Sequence, residues 1–275
     1  MDVSTKPRSA QPRAMRLKQL AAVAVLAACA LPAFAKMQAK PVEWKVGERA
    51  FSGVLVFDDA GGKRPGLVMV PDWYGVTDSA VAKAKHIAGK DYVVLLTDVY
   101  GKGVRPKDNK AASAAVGALS KDPAEWRARV AKALQVLREN AAHAPLDATK
   151  LAAIGYCFGG SSVLELARSG ADIAAVVTFH GGLDTSEPAK QGAVKASLLV
   201  LNGADDRGTA GDIAGFEKEM NEAGADWQFV NFSHTVHCFA LPDANSPPGC
   251  VYNPLSAARA ERMMRGFLAE RFAAH

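Results

Sequence analysis

Long apolar runs, paired-cysteine motifs and an excess of charge are all scarce in this chain of 275 residues, and each scarcity removes a class of function. No uninterrupted apolar stretch reaches the roughly 18 residues that a membrane-spanning helix needs. Cysteine occurs four times and never as Cys-x-x-Cys, which excludes a dithiol redox motif and a zinc ribbon. No phosphate-binding Gly-rich loop is present. Neither a metal nor an organic cofactor is therefore expected. Aromatic residues make up only 7%, yet the chain is 49% hydrophobic and 22% charged, an ordinary globular balance that excludes a disordered chain. The formal charge of +5 is local: residues 1–35 hold five basic residues and one acid, so 33 less five leaves 28 basic against 27 acidic residues beyond them. The basic balance thus carries no indication of nucleic acid.

Residues 15–35 have the layout of a cleaved secretory leader. Arg16 and Lys18 precede an apolar run from Leu20 to Leu31, followed by Pro32 and the small-residue pattern Ala33-Phe34-Ala35. The run is short for a ~30 Å hydrocarbon core. Cleavage after Ala35 predicts a secreted or periplasmic protein with no stable membrane anchor and one domain over 36–275. Leu26-Ala27-Ala28-Cys29 resembles a lipobox, the alternative. Export changes the cysteine count: Cys157, Cys238 and Cys250 remain. Cys238 and Cys250 share one Pro/Gly-rich stretch and are expected to pair, which leaves Cys157 free.

Beyond the leader, short apolar runs alternate with longer amphipathic segments. Strands are expected at 42–46, 50–57, 66–70, 92–97, 149–156, 173–179, 196–202 and 227–232. Helices are expected at 79–90, 107–120, 123–142, 158–169, 210–223 and 254–272, the third opened by Asp122 as N-cap with Pro123 behind it. The pattern predicts an α/β fold: a mostly parallel sheet covered by helices on both faces, with an antiparallel start.

In such sheets functional groups gather beyond the carboxyl ends of the strands. One strand end carries Gly155-Tyr156-Cys157-Phe158-Gly159-Gly160. A Gly-x-Cys-x-Gly between strand and helix puts a nucleophile on a tight turn, and the helix N-terminus behind it favours a thiolate and offers N–H groups to an oxyanion. A buried structural cysteine is the bland reading. A thiol nucleophile needs a base, and the base an orienting acid, in the chain order nucleophile, acid, histidine. The loop after 196–202 offers Asp205 and Asp206; the loop after 227–232 offers His234 and His237. His180 also follows a strand but precedes the acid. Pro71-Asp72-Trp73-Tyr74-Gly75 follows another strand, where Trp73 would supply a second oxyanion N–H beside that of Phe158, with Asp72 near the nucleophile.

These motifs, with Asp98-Val99-Tyr100-Gly101-Lys102-Gly103 and Phe179-His180-Gly181-Gly182, resemble the dienelactone hydrolase family of α/β-hydrolases from about Ala50 onward. The family's Gly-x-x-Asp selects Asp206, and its Val-His-x-Phe selects His237. The resemblance implies hydrolysis of an enol-lactone or other small ester through a Cys157 thioester, with Asp72 standing where the family usually has the glutamate that activates the cysteine. It also implies a side chain that holds a substrate carboxylate: Arg105, Arg127 and Arg129 are the candidates, with Tyr74 as a further substrate contact. Arg207 replaces the family's usual proline. Two readings compete, a non-catalytic binding protein on the same fold, marked by lack of esterase activity, and a thiol redox protein, marked by reversible disulfide formation at Cys157.

Overall fold

The computed structural model describes residues 1–3 and 36–274; the expected leader at 4–35 lies outside the described residues. The elements are β1 (Met37–Val46), β2 (Arg49–Asp58), β3 (Arg64–Val70), α1 (Asp78–Ala88), β4 (Val93–Leu96), α2 (Asn109–Ser120), α3 (Pro123–Glu139), β5 (Leu146–Tyr156), α4 (Phe158–Arg168), β6 (Ala175–Phe179), β7 (Ser197–Gly203), α5 (Ile213–Ala223), β8 (Trp227–Phe232), β9 (Asn245–Ser246), β10 (Cys250–Val251) and α6 (Pro254–Ala274). Eight strands form one sheet in the order β1-β2-β4-β3-β5-β6-β7-β8. The first two pair antiparallel with each other, β2 meets β4 antiparallel, and every pairing from β4 to β8 is parallel.

Strand alternation sorts the core into two layers. Val68, Val70, Val93, Leu95, Ala153, Val176 and Val200 face one apolar cluster with α3 and α4 residues such as Val130, Leu137 and Leu164. Their immediate neighbours Leu67, Met69, Val94, Leu96, Ile154 and Val177 face the other cluster, with Ile87 of α1 and Met264 and Leu268 of α6. A strand buried on both faces reads as a continuous apolar run because both sets must leave water.

Helix starts follow side-chain caps, and these shift several expected boundaries. Thr77 Oγ1 accepts the Ala80 N–H at 3.1 Å and starts α1. Asp108 does the same for Ala111 at 2.8 Å, so α2 begins at Asn109 rather than Lys107. Asp122 caps α3 through the Glu125 N–H at 3.0 Å, with Pro123 behind it as the sequence predicts. α5 begins at Ile213 rather than Ala210, because residues 206–212 form turns, with the Ala210 N–H bonded to the Asp206 carbonyl at 3.2 Å. β1 begins at Met37, well before Val42; Pro41 is tolerated there because β1 is an edge strand. Among the described residues no helix is long and apolar enough to cross a membrane.

Candidate active site

Where β5 ends, the chain turns abruptly into α4, and Cys157 occupies the turn. Its φ of 54° is a strained setting for a residue with a Cβ. The turn exists because its flanking glycines leave no room for anything larger. A Cβ on Gly155 would lie 2.0 Å from the Gly159 carbonyl oxygen, and one on Gly159 would lie 2.1 Å from that of Val70. Helix and sheet therefore approach to backbone contact, and the thiol is thrust up at the carboxyl edge of the sheet. The Cys157 N–H donates to the Phe179 carbonyl at 3.0 Å and to Nδ1 of His180 at 3.1 Å. His180 is wholly buried, and its Nε2 has no partner among the described residues. Burial, with the charges of His237 and Lys83, holds its pKa well below the ordinary histidine value, so it is a neutral acceptor here.

Two further loops converge on the thiol. The loop after β7 carries Asp206, buried, and the loop after β8 carries His237. They are tied together by the Asp205 N–H, which donates to the Thr235 carbonyl at 2.9 Å. His237 Nε2 lies 3.1 Å from Cys157 Sγ, and its Nδ1 lies 2.6 Å from Asp206 Oδ2. The other carboxylate oxygen of Asp206 accepts the Gly208 N–H at 2.9 Å. Burial works against a charge on His237, but its bonds to Asp206 and Cys157 overcome that and push its pKa up to about 10. An imidazole so held can take the thiol proton and keep it. Cys238, the next residue, is bonded to Cys250 with Cα atoms 4.9 Å apart. Val251 N–H donates to the His237 carbonyl at 3.1 Å, so this short covalent loop braces the histidine.

An aromatic stack shapes the wall opposite. Phe158 lies between Tyr100 and Trp126, near-parallel to both, with ring centroids 5.3 and 5.2 Å away. Tyr100 Oη donates to the Trp73 carbonyl at 3.0 Å, which fixes the loop after β3 over the thiol. Among the described residues no acceptor takes up the backbone N–H of Trp73 or of Phe158. Two cavities meet at Trp73, Cys157 and His237. The smaller, about 440 Å³, runs along α3, α4 and residues 182–186; the larger, about 880 Å³, runs along the Asp206 and His237 loops and the disulfide.

The model of the dienelactone hydrolase family matches residues 51–272. This chain belongs to the dienelactone hydrolase family. The solved structure described as m3DLH is 37% identical, covers 86% of this chain and 99% of its own, and superposes with a TM-score of 0.80. A dienelactone hydrolase-like promiscuous phosphotriesterase, P91, from metagenomic libraries is 34% identical over 85% of this chain and 98% of its own, with a TM-score of 0.79. An uncharacterized protein of Caenorhabditis elegans is 30% identical over 133 residues, 46% of this chain and 84% of its own. The protein is thus a hydrolase of the dienelactone hydrolase type, with the α/β-hydrolase sheet and a small-molecule substrate.

Cys157, His237, Asp206, Trp73 and Phe158 are all brought to one place in this hydrolase. Five other expected residues are not. Asp72 is part-buried and accepts the Tyr74 N–H at 2.8 Å, but it makes no hydrogen bond to Cys157; its carboxyl faces a separate small cavity with Lys83. Burial raises its pKa, partly offset by that N–H. Tyr74 points its hydroxyl at Asn109 and lines neither cavity. Arg105 is turned to the carbonyls of Val104 and Ser52, with Asp98 3.5 Å away. Arg129 is buried, pairing with Glu125 at 2.8 Å and donating to the Val99 carbonyl at 2.9 Å. A corrected reading therefore makes Arg129 a brace of the Val99–Tyr100 backbone and Arg105 a tie between the Gly101–Val104 turn and Ser52 of β2, and neither lines the two cavities; Arg127 is paired with Glu165. The sequence reading set His180 aside for its position in the chain and missed its bond to the cysteine. It also missed the stack of Trp126 and Tyr100 on Phe158. A histidine directly before Gly181-Gly182 at a strand end was the available signal for the first.

Proposed function

We propose that this hydrolase cleaves carboxylic esters or lactones through a thioester on Cys157, with His237 as base and Asp206 orienting it. The observation that carries the reading is the continuous chain of contacts from Sγ to Nε2 at 3.1 Å and from Nδ1 to carboxylate at 2.6 Å, mounted on the strained turn. His237 holds the thiol proton, and the Cys157 sulfur attacks the ester carbonyl. The carbonyl oxygen gains the electron pair and is met by the N–H groups of Trp73 and Phe158. Collapse of that oxyanion expels the alkoxide, which takes the proton from His237 Nε2. His237 then removes a proton from water, hydroxide attacks the thioester, and the thiolate leaves with the acid released. Asp206 keeps the imidazole in the tautomer and orientation both steps need.

The disulfide beside His237, together with the leader-like sequence at 15–35, supports work in an oxidising compartment outside the cytoplasm. The deciding experiment is mass spectrometry of enzyme quenched during turnover of an ester and lactone panel, one phosphotriester included because a relative is named for that activity. An acyl mass on the peptide containing Cys157 is expected, and Cys157→Ala abolishes both adduct and turnover while keeping the fold. Wild-type turnover by Cys157→Ala refutes the assignment.

A further inference from the structure

The two lobes of the cleft differ in what they can accept. Resting on the ester-hydrolase reading above, we infer that the substrate is an uncharged ester, with an apolar or aromatic acyl group in the smaller lobe and a bulkier alcohol half in the larger one.

The assignment of halves follows from the proton. The leaving oxygen must reach His237 Nε2, and the larger lobe is walled by the two loops that carry His237 and Asp206. The carbonyl carbon must sit at Sγ with its oxygen toward Phe158 N–H, and the smaller lobe opens along α4 from that residue. The acyl chain therefore runs into the smaller lobe.

That lobe is lined by Trp73, Trp126, Phe158 and Val116, and by no lysine or arginine. Its Glu165 is paired with Arg127 at 2.7 Å and Arg168 at 2.8 Å, neither of which lines the lobe. Asp184 is exposed at its rim and makes no ion pair among the described residues. Cys157 and His237 share one proton and are neutral as a pair, which leaves Asp206 as a second net negative charge near the carbonyl carbon. Away from the Cys157–His237 pair, a carboxylate on the acyl chain would meet Asp184 and no lysine or arginine in the lining, whereas an uncharged chain meets three aromatic walls. The larger lobe is mostly small and apolar, with Ala204, Ala210, Val236 and Pro248; its exposed Asp205 and Arg207 are neighbours of opposite sign. Nothing there selects a charged alcohol half either.

The test compares two esters of one alcohol, 4-nitrophenyl butyrate and 4-nitrophenyl hemisuccinate, whose acyl chains differ by a carboxylate. The readout is the ratio of kcat/KM within each enzyme, so that a general loss of activity in a variant cancels. Wild type is expected to prefer the butyrate on the order of tenfold at low salt, less at high salt as the repulsion is screened. Asp184→Asn narrows the ratio to about threefold, and Asp184→Arg brings it near or below one. A wild-type ratio at or below one overturns the inference, as does a ratio that Asp184→Arg leaves unchanged. No turnover of either ester, with Cys157 unacylated, removes the hydrolase reading itself and this inference with it.

Discussion

The carboxylate of Asp206 touches His237 Nδ1 at 2.6 Å, whereas Asp205, its neighbour in sequence, is exposed on the wall of the larger lobe. The two acids should therefore separate cleanly on substitution. Asp206→Asn removes the charge that holds the imidazolium, so the His237 pKa falls from about 10. The alkaline limb of kcat/KM against pH, expected near that value in wild type, moves to lower pH, and the rate drops by orders of magnitude. Asp205→Asn leaves the limb where it is and loses far less activity. Equal losses would show that the acid has been misassigned. The same group contributes to stability with a definite sign. Its folded pKa stands above its ordinary 6.5, so the stabilisation is complete below about pH 6.5 and is lost as the pH rises through about 10. Urea midpoints across that window should fall in wild type and fall less in His237→Gln.

Between β3 and α4 the spacing is set by backbone, not by side chains. A Cβ on Gly159 would meet the carbonyl oxygens of Val70 at 2.1 Å and Pro71 at 2.3 Å, neither of which can swing aside. Gly159→Ala should destabilise by about 1–3 kcal/mol in urea unfolding and move Phe158 N–H away from Trp73, lowering kcat as well. Gly117, in the interior of α2, meets nothing within 4 Å, and Gly117→Ala should instead stabilise by up to about 1 kcal/mol. If both variants unfold like wild type, the close approach is not what fixes the turn. The elements themselves were readable where one local rule decides them: the apolar runs within β3 to β7, and Asp122-Pro123 for the start of α3. The turn at Cys157 and its partners in two later loops were legible for the same reason, since glycines, strand ends and chain order are written in the sequence. Arg129 was not legible. Its carbonyl partner is 30 residues away, and its pairing with the Val99 backbone depends on how α3 docks. β9 and β10 were invisible because two-residue strands have no period; a covalent bond, not a pattern, holds them.

Across the whole molecule, the site draws on widely separated segments. Trp73 comes from one end of the chain's parallel run, His237 from the other, and only the sheet order brings them together. The sheet core is buried on both faces and is held by two apolar layers, so it fixes the strand ends firmly. The loop bearing His237 is different: from Thr235 to Tyr252 it contains no helix and only the two-residue pair β9–β10, although Cys238, Phe239 and Ala240 are buried within it. The Cys238–Cys250 bond spans a sequence separation of 12, and closure of a loop of that size is worth about 3 kcal/mol in the chain-entropy model. The stability of the molecule should therefore depend on the redox state of its surroundings, and without the bond function should fail before the sheet does. The double variant Cys238→Ala, Cys250→Ala is expected to lower the urea midpoint and to lose kcat at denaturant concentrations where the far-UV signal of the sheet and helices is still native. Wild type treated with a reductant should match it, and because reduction leaves Cys157 a thiol, the lost activity cannot be charged to the nucleophile. Thiol labelling gives the accompanying count: one reactive cysteine among 157, 238 and 250 in the oxidised protein, three after reduction. Reduced wild type that keeps both its midpoint and its kcat would mean that the noncovalent bonds of the loop, such as Val251 N–H to the His237 carbonyl, hold the histidine without the covalent brace.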